Sequence, residues 1–279
     1  MDYAGLIADC CADPRRFIHV TFERDGAVAI VRMQDPERLN ALSPTLCWQL
    51  RETLQALAHD PALRVLVLTG ADPAFCAGGD LDFIASAQDT LREGDEGAVT
   101  IWRWIRQQFG GVARLLAGMD AYCIAAVNGA AAGVGLAFAL ACDHRIASER
   151  AELVPAFGRI GLVPEVGTSW FLTRKLGPGR ALDLYIDGGR LAAEHALALG
   201  LVDRMVIHEL LLAAARERAE RVLALPAHTV QLAKRQLRQV ADLSWEAAIA
   251  LEEFAEPLCF TTGAHRSAVA QLRNRAARS

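Results

Sequence analysis

The pattern of apolar and polar positions divides the chain into three regimes. Residues 17–33 alternate around the turn Arg24-Asp25-Gly26, which predicts two strands. Short unbroken apolar runs come next, Val65-Leu-Val-Leu68 and Ile124-Ala-Ala-Val127, and their length predicts buried strands. Each run leads into a glycine-rich turn and then into helix-favouring sequence. The first turn reads Phe75-Cys-Ala-Gly-Gly-Asp-Leu81; the second reads Asn128-Gly-Ala-Ala-Ala-Gly-Val-Gly135 and opens the apolar stretch 136–142. Ser43 and Pro44 have the residue types of a helix cap and first turn, predicting a helix from Pro44 to about Ala58. Ile101, Ile105, Phe109, Val112 and Leu116 recur at helical spacing, with Gly110-Gly111 expected to weaken or kink that helix. Residues 86–99, polar and acidic, read as a mobile loop. From about residue 210 the composition shifts to amphipathic helices over 210–225, 229–241 and 245–258, with Pro226 breaking the first.

The strand–turn–helix series repeats over 65–85 and 123–142. That repetition predicts an α/β chain of successive β-containing turns with helices outside, and not a doubly wound sheet. The core is expected over residues 1–210 and a helical region over 211–279. The basic tail from Ala264, with Arg266, Arg273, Arg275 and Arg278, reads as a solvated helix face.

Composition removes several function classes. The chain has 279 residues, is 53% hydrophobic and 22% charged, and carries a net charge of −4, so it can bury a large core and presents no basic face for nucleic acid. Arg or Asp interrupts the apolar runs before they reach membrane-spanning length. The seven cysteines, at positions 10, 11, 47, 76, 123, 142 and 259, show no metal-ligand spacing. The acidic N-terminus, with Asp2, Asp9 and Asp13, does not resemble a secretory leader, and a reducing, cytoplasmic compartment is expected.

The candidate chemistry lies in the two turns. A glycine-rich turn that opens a buried helix leaves backbone N–H groups without partners, and such donors can hold an anion or a developing oxyanion. Close packing that needs glycine for space alone would give the same sequence. Neither turn continues into Gly-Lys-Ser/Thr, and Gly133-Val-Gly135 lacks the third glycine of a dinucleotide fingerprint.

Five segments in order resemble the crotonase (enoyl-CoA hydratase/isomerase) superfamily. They are Pro36-Glu-Arg-Leu-Asn40-Ala-Leu-Ser, Phe75-Cys-Ala-Gly-Gly-Asp80-Leu, Ala126-Val-Asn-Gly-Ala-Ala-Ala-Gly-Val-Gly135, Gly161-Leu-Val-Pro-Glu165-Val-Gly-Thr-Ser and Ala196-Leu-Ala-Leu-Gly200-Leu-Val-Asp. The resemblance implies a spiral of β-β-α turns followed by a C-terminal helical oligomerisation region. It also implies a homotrimer or hexamer, an acyl-CoA thioester as substrate, and no cofactor beyond the CoA of that substrate. The backbone N–H groups of Gly79 and Val134 are then the oxyanion donors. Substrate contacts are implied for Arg38, Ala41, Ala77, Asp80, Leu81 and Phe157. For Arg38 a CoA phosphate and plain exposure remain alternatives, and Asp80 also has the residue type of a helix cap. Trp102, Trp104, Phe109 and Phe83 either line an acyl pocket or belong to the core.

The positions that carry the two hydratase glutamates correspond to Ala137 and Phe157, neither of which can move a proton. Glu165 remains in the variable catalytic segment, where isomerases of the family carry their acid. One carboxylate suffices to take a proton from C2 of a 3-enoyl thioester and return it at C4. Local pairing in a surface loop is the other role open to it. The expected activity is therefore Δ3–Δ2 enoyl-CoA isomerisation. Thioester hydrolysis, weak hydration and acyl-CoA binding without turnover are the alternatives.

Overall fold

The computed structural model describes residues 17–92 and 95–276. Cys10, Cys11, the acidic N-terminal residues and Arg278 lie outside the described residues. The chain forms two compact units, divided between Ala219 and Glu220. The division falls inside the helix Leu211–Leu223, past the break expected after residue 210.

In the first unit, β1 (Val20–Asp25) and β2 (Val28–Met33) pair as the expected hairpin, with Gly26 at φ +55° in its turn. Three passes of chain follow, and each contributes one strand to each of two sheets. β3 (Val65–Gly70) is followed by β4 (Ala74–Cys76), β5 (Tyr122–Val127) by β6 (Ala130–Ala132), and β7 (His144–Ser148) by β8 (Glu152–Val154). The first strand of each pass joins a six-stranded sheet in the order β1-β2-β3-β5-β7-β10, closed by β10 (Arg204–Val206). The second joins a four-stranded sheet in the order β4-β6-β8-β9, where β9 is Leu191–Ala192. The first unit is therefore the β-β-α spiral that the resemblance implied, built from the successive β-containing turns that the repeating pattern predicted. Parallel pairing of Ala74 with Ala130 sets the first glycine-rich turn beside the second.

The helices follow local sequence closely. The Ser43 hydroxyl accepts the Leu46 N–H at 3.2 Å and Pro44 opens the helix Pro44–Ala58, which buries Leu46, Leu50, Leu54 and Leu57 against the sheet. The expected loop over 86–99 is instead helical: Leu81–Arg92 and Asp95–Trp104. For the first of these the reason is the cap. The Asp80 carboxylate accepts the Phe83 N–H at 2.9 Å, and an acidic composition does not oppose a helix capped in this way. The expected kink at Gly110-Gly111 is also corrected. The helix runs through these glycines, and its irregularity is a π turn just before them, Ile105–Phe109. A side chain at Gly111 would press on the Arg51 side chain at 3.2 Å, so glycine serves close packing against the helix Pro44–Ala58.

The second unit is helical, with Ala227–Gln239, Trp245–Phe260 and Gly263–Ala276. Ser244 caps its middle helix. Among the described residues, no helix is long and apolar enough to cross a membrane.

Candidate active site

Two backbone donors emerge from the way the glycine-rich turns are bonded. At the first turn, the Leu42 N–H bonds to the Gly78 carbonyl (2.7 Å) and the Asp80 N–H to the Leu42 carbonyl (3.4 Å). That pattern passes over the Gly79 N–H. At the second, the Gly133 N–H is used by the Val154 carbonyl (3.0 Å), while Val134 begins the helix Val134–Ala141 and has no carbonyl one turn back. Neither the Gly79 nor the Val134 amide has an acceptor among the described residues. The turns abut because glycine allows it. Gly78 sits at φ +96°, and a Cβ there would lie 2.9 Å from the Ala132 carbonyl oxygen and 3.7 Å from the Val134 nitrogen. A Cβ at Gly135 would overlap the Cys76 carbonyl and lie 2.9 Å from its sulfur.

Two buried asparagines tie these turns to the sheet. The Asn40 amide donates to the carbonyls of Ala71 and Ala74, both at 2.7 Å, and its oxygen accepts the Asp35 N–H at 2.8 Å. The Asn128 amide donates to Asp72 (2.8 Å) and to the same Ala74 carbonyl (3.1 Å), while its oxygen accepts the Gly70 N–H (3.2 Å). The strand feeding the first turn is thus held from both motifs. Sequence reading passed over both roles, since a buried amide that satisfies distant carbonyls leaves no local pattern.

Asp72 continues the network to His208, which lies 3.2 Å from both Asp72 and Ser148. Burial opposes ionisation of Asp72, yet the Asn128 and His208 hydrogen bonds hold its carboxyl below the usual range. The Ser148–His208–Asp72 series is not a hydrolytic triad, because Ser148 is fully buried and no substrate can reach it.

A cavity of about 360 Å³ opens over the two amides. Of the expected residues, Ala77, Gly79, Leu81, Val134, Phe157 and Glu165 all line it. Arg38, Ala41 and Asp80 do not line it. Asp80 caps the helix Leu81–Arg92 and pairs with Arg38 at 2.8 Å, so the guanidinium is already engaged by a carboxylate. Hydrogen bonding from the Phe83 N–H, opposed by burial and reinforced by Arg38, keeps the Asp80 carboxyl below its usual range. Phe83, Trp104 and Phe109 line the cavity, but Trp102 does not: it is 55% exposed beneath the Arg106 guanidinium. Ile84, Ile101, Ile105, Ile160 and Leu162 add aliphatic surface, and Ser86 and Thr100 add hydroxyls. The spacing of Ile101 and Ile105 was legible, but which face it served was not.

Glu165 is the single ionisable side chain among the described lining residues. Its carboxylate has no hydrogen-bond or ion-pair partner among the described residues, and burial raises its pKa. The backbone holds it in a strained turn. Val166 has φ +58° and Gly167 φ +87°, and the Glu165 carbonyl accepts the Thr168 N–H at 2.9 Å. A left-handed β-branched residue costs roughly 1–2 kcal/mol, which the packing around the site must offset. Ala137 is fully buried within its helix, and the Phe157 ring would stand 3.9 Å from a Cβ at Gly133. No group of three or more His, Cys, Asp or Glu able to hold a metal occurs among the described residues.

The same arrangement of strands and turns recurs in known proteins. An enoyl-CoA hydratase from Bacillus anthracis superposes with a TM-score of 0.82 at 27% identity, over 92% of this chain and 96% of that one. Among curated relatives, the 1,2-epoxyphenylacetyl-CoA isomerase of Escherichia coli is 31% identical, over 88% of this chain and 91% of its own length. The crotonyl-CoA hydratase of Syntrophomonas wolfei is 30% identical, over 88% and 90%. The model of the enoyl-CoA hydratase/isomerase family matches residues 23–262. With its β-β-α spiral and paired glycine-rich turns, this chain belongs to the enoyl-CoA hydratase/isomerase family, within the crotonase superfamily of enzymes.

Proposed function

We propose that the protein is a Δ3–Δ2 enoyl-CoA isomerase. The observation that carries this reading is the isolation of Glu165: one unpaired carboxylate in an otherwise non-ionisable cavity shared with the Gly79 and Val134 amides. In this reading the thioester carbonyl accepts both amides. Glu165 takes a proton from C2, the negative charge spreads over the thioester enolate and the adjoining double bond, and the acid returns the proton at C4. Water addition needs groups to activate and deliver water. The positions that resemble the hydratase glutamates are Ala137 and Phe157, and Phe157 lines the cavity with an aromatic ring. An isomerase and a hydratase stand at nearly equal identity to this chain, so overall similarity does not separate the activities. The isomerase reading is supported instead by the lone carboxylate among the described lining residues.

The test is product analysis after incubation with a 3-enoyl-CoA, a 2-enoyl-CoA and a saturated acyl-CoA. The expected result is the 2-enoyl product from the first, with hydration of the second far slower. Comparable hydration, or release of free CoA from all three, overturns the reading in favour of a hydratase or a hydrolase. Binding without any product would make the protein an acyl-CoA carrier.

Self-association as a trimer or hexamer belongs to the same reading. The helices Ala227–Gln239 and Trp245–Phe260 bury none of their residues, and Trp245 and Phe254 are 72% and 77% exposed. Apolar surface of that kind is normally covered by a partner. Light scattering after size exclusion is expected to find no stable monomer at concentrations on the order of micromolar; an active monomer refutes it.

A further inference from the structure

We infer that the cavity selects an uncharged acyl group bearing a ring, in preference to a linear chain of the same carbon number. The inference rests on the cavity being the acyl site proposed above. It is carried by how the wall facing the two glycine-rich turns is built. Five residues apart on an α-helix, Trp104 and Phe109 would point about 140° away from each other at 3.6 residues per turn. The π turn Ile105–Phe109 changes this. The Gly110 N–H reaches back to the Ile105 carbonyl, and the extra residue in the turn brings positions five apart onto one face. Trp104 and Phe109 accordingly meet edge to face, with ring centroids 6.2 Å apart and planes at 82°. Phe83 adds a third ring, 4.9 Å from Trp104 at 60°. Phe157 contributes another from beside Gly133.

Rings set at such angles offer a flat guest both a face and an edge, the two contacts that aromatic pairs favour. The four rings are also the stiff part of the wall. Aromatic side chains cannot collapse onto a thin alkyl chain, and unfilled space forfeits dispersion contacts. A volume of about 360 Å³ lies within the range of small-molecule pockets and leaves room for a ring beside the thioester. A second carboxylate on the acyl group has no charged partner, because among the described lining residues there is no cation and Glu165 would repel it.

The experiment is calorimetric titration of the full-length protein with CoA and four unreactive thioesters: octanoyl-, cyclohexylacetyl-, phenylacetyl- and suberyl-CoA. All four acyl groups have the same number of carbons. The ring-bearing pair is expected to bind about tenfold more tightly than octanoyl-CoA, a difference of about 1.4 kcal/mol. Suberyl-CoA is expected to bind no better than CoA. Trp104→Leu should bring the ratio of phenylacetyl to octanoyl affinity towards one, with Phe83→Leu as the parallel variant should the first fail to fold. Equal or tighter binding of octanoyl-CoA overturns the ring preference, as does a ratio that neither variant moves. If none of the thioesters binds better than CoA itself, the acyl-site reading fails as well, which separates the two failures.

Discussion

Glu165→Gln is expected to lower turnover of a 3-enoyl-CoA by about a hundred- to ten-thousand-fold, the usual contribution of a positioned acid–base group. The amide keeps the size of the side chain but cannot accept the C2 proton. The Gly79 and Val134 donors are main-chain groups and remain, so affinity for a non-reactive acyl-CoA should be nearly intact by calorimetry. A loss of turnover below about tenfold would mean that Glu165 is not the base, and the isomerase reading would lose its main support. Loss of affinity together with turnover would make Glu165 a structural residue of its loop.

The same substitution has a signature in pH that a structural role would not produce. Burial raises the pKa of Glu165 and no cation lowers it. The base must be ionised to act, so kcat/KM of the wild type is expected to fall as pH drops through a value above the ordinary carboxylate range. Stability moves the opposite way. A carboxyl whose pKa is raised in the folded state holds its proton more tightly there than in the unfolded chain, so stability is lost as pH rises from the unfolded to the folded pKa. Glu165→Gln has no such loss. Its Tm is expected to match the wild type at acid pH and exceed it at neutral pH. A lower Tm at neutral pH would show that the carboxylate makes a stabilising contact.

Much of the candidate site was legible in the sequence because its two free amides lie in turns that require glycine. Gly78 and Gly135 mark where the chain has no room for side chains, Gly133 marks a positive φ, and such marks survive without a structure. Ser43, Pro44 and the hairpin glycine at 26 were legible for the same local reason. The missed features depend on distance. The helix Leu81–Arg92, which takes in the start of the expected loop, is set by a cap at Asp80 and by Phe83 and Ile84 on the cavity wall, and not by its own polarity. The partner that Arg38 finds, Asp80, lies far along the sequence but 2.8 Å away in space. The π turn is the clearest case. The positions of Ile101, Ile105 and Phe109 look helical at either register, and only the structure shows that the added residue moves Trp104 onto the wall with Phe109 while Trp102 faces solvent.

A main-chain donor can be displaced without changing its own residue, and Gly135→Ala is expected to do so. The new Cβ would collide with the Cys76 carbonyl and lie 2.7 Å from the Cys76 Cβ, contacts with groups that cannot rotate away. The helix Val134–Ala141 and the strand Ala74–Cys76 must therefore separate, and the Val134 and Gly79 amides move apart with them. An oxyanion donor typically contributes about a hundred- to a thousandfold in kcat, and the loss should fall in that range. Val134→Ala is the control. It leaves the amide in place and removes only methyl groups at the cavity edge, so turnover is expected to stay within about tenfold of wild type. Circular dichroism and thermal melting separate a displaced site from a collapsed fold. A folded Gly135→Ala protein with wild-type turnover would show that the close approach of the two turns is packing alone. A large loss in Val134→Ala with the fold intact would move the role from the amide to the side chain. Expected instead is a folded Gly135→Ala protein of lower Tm that retains Glu165 and the cavity but no longer polarises the thioester.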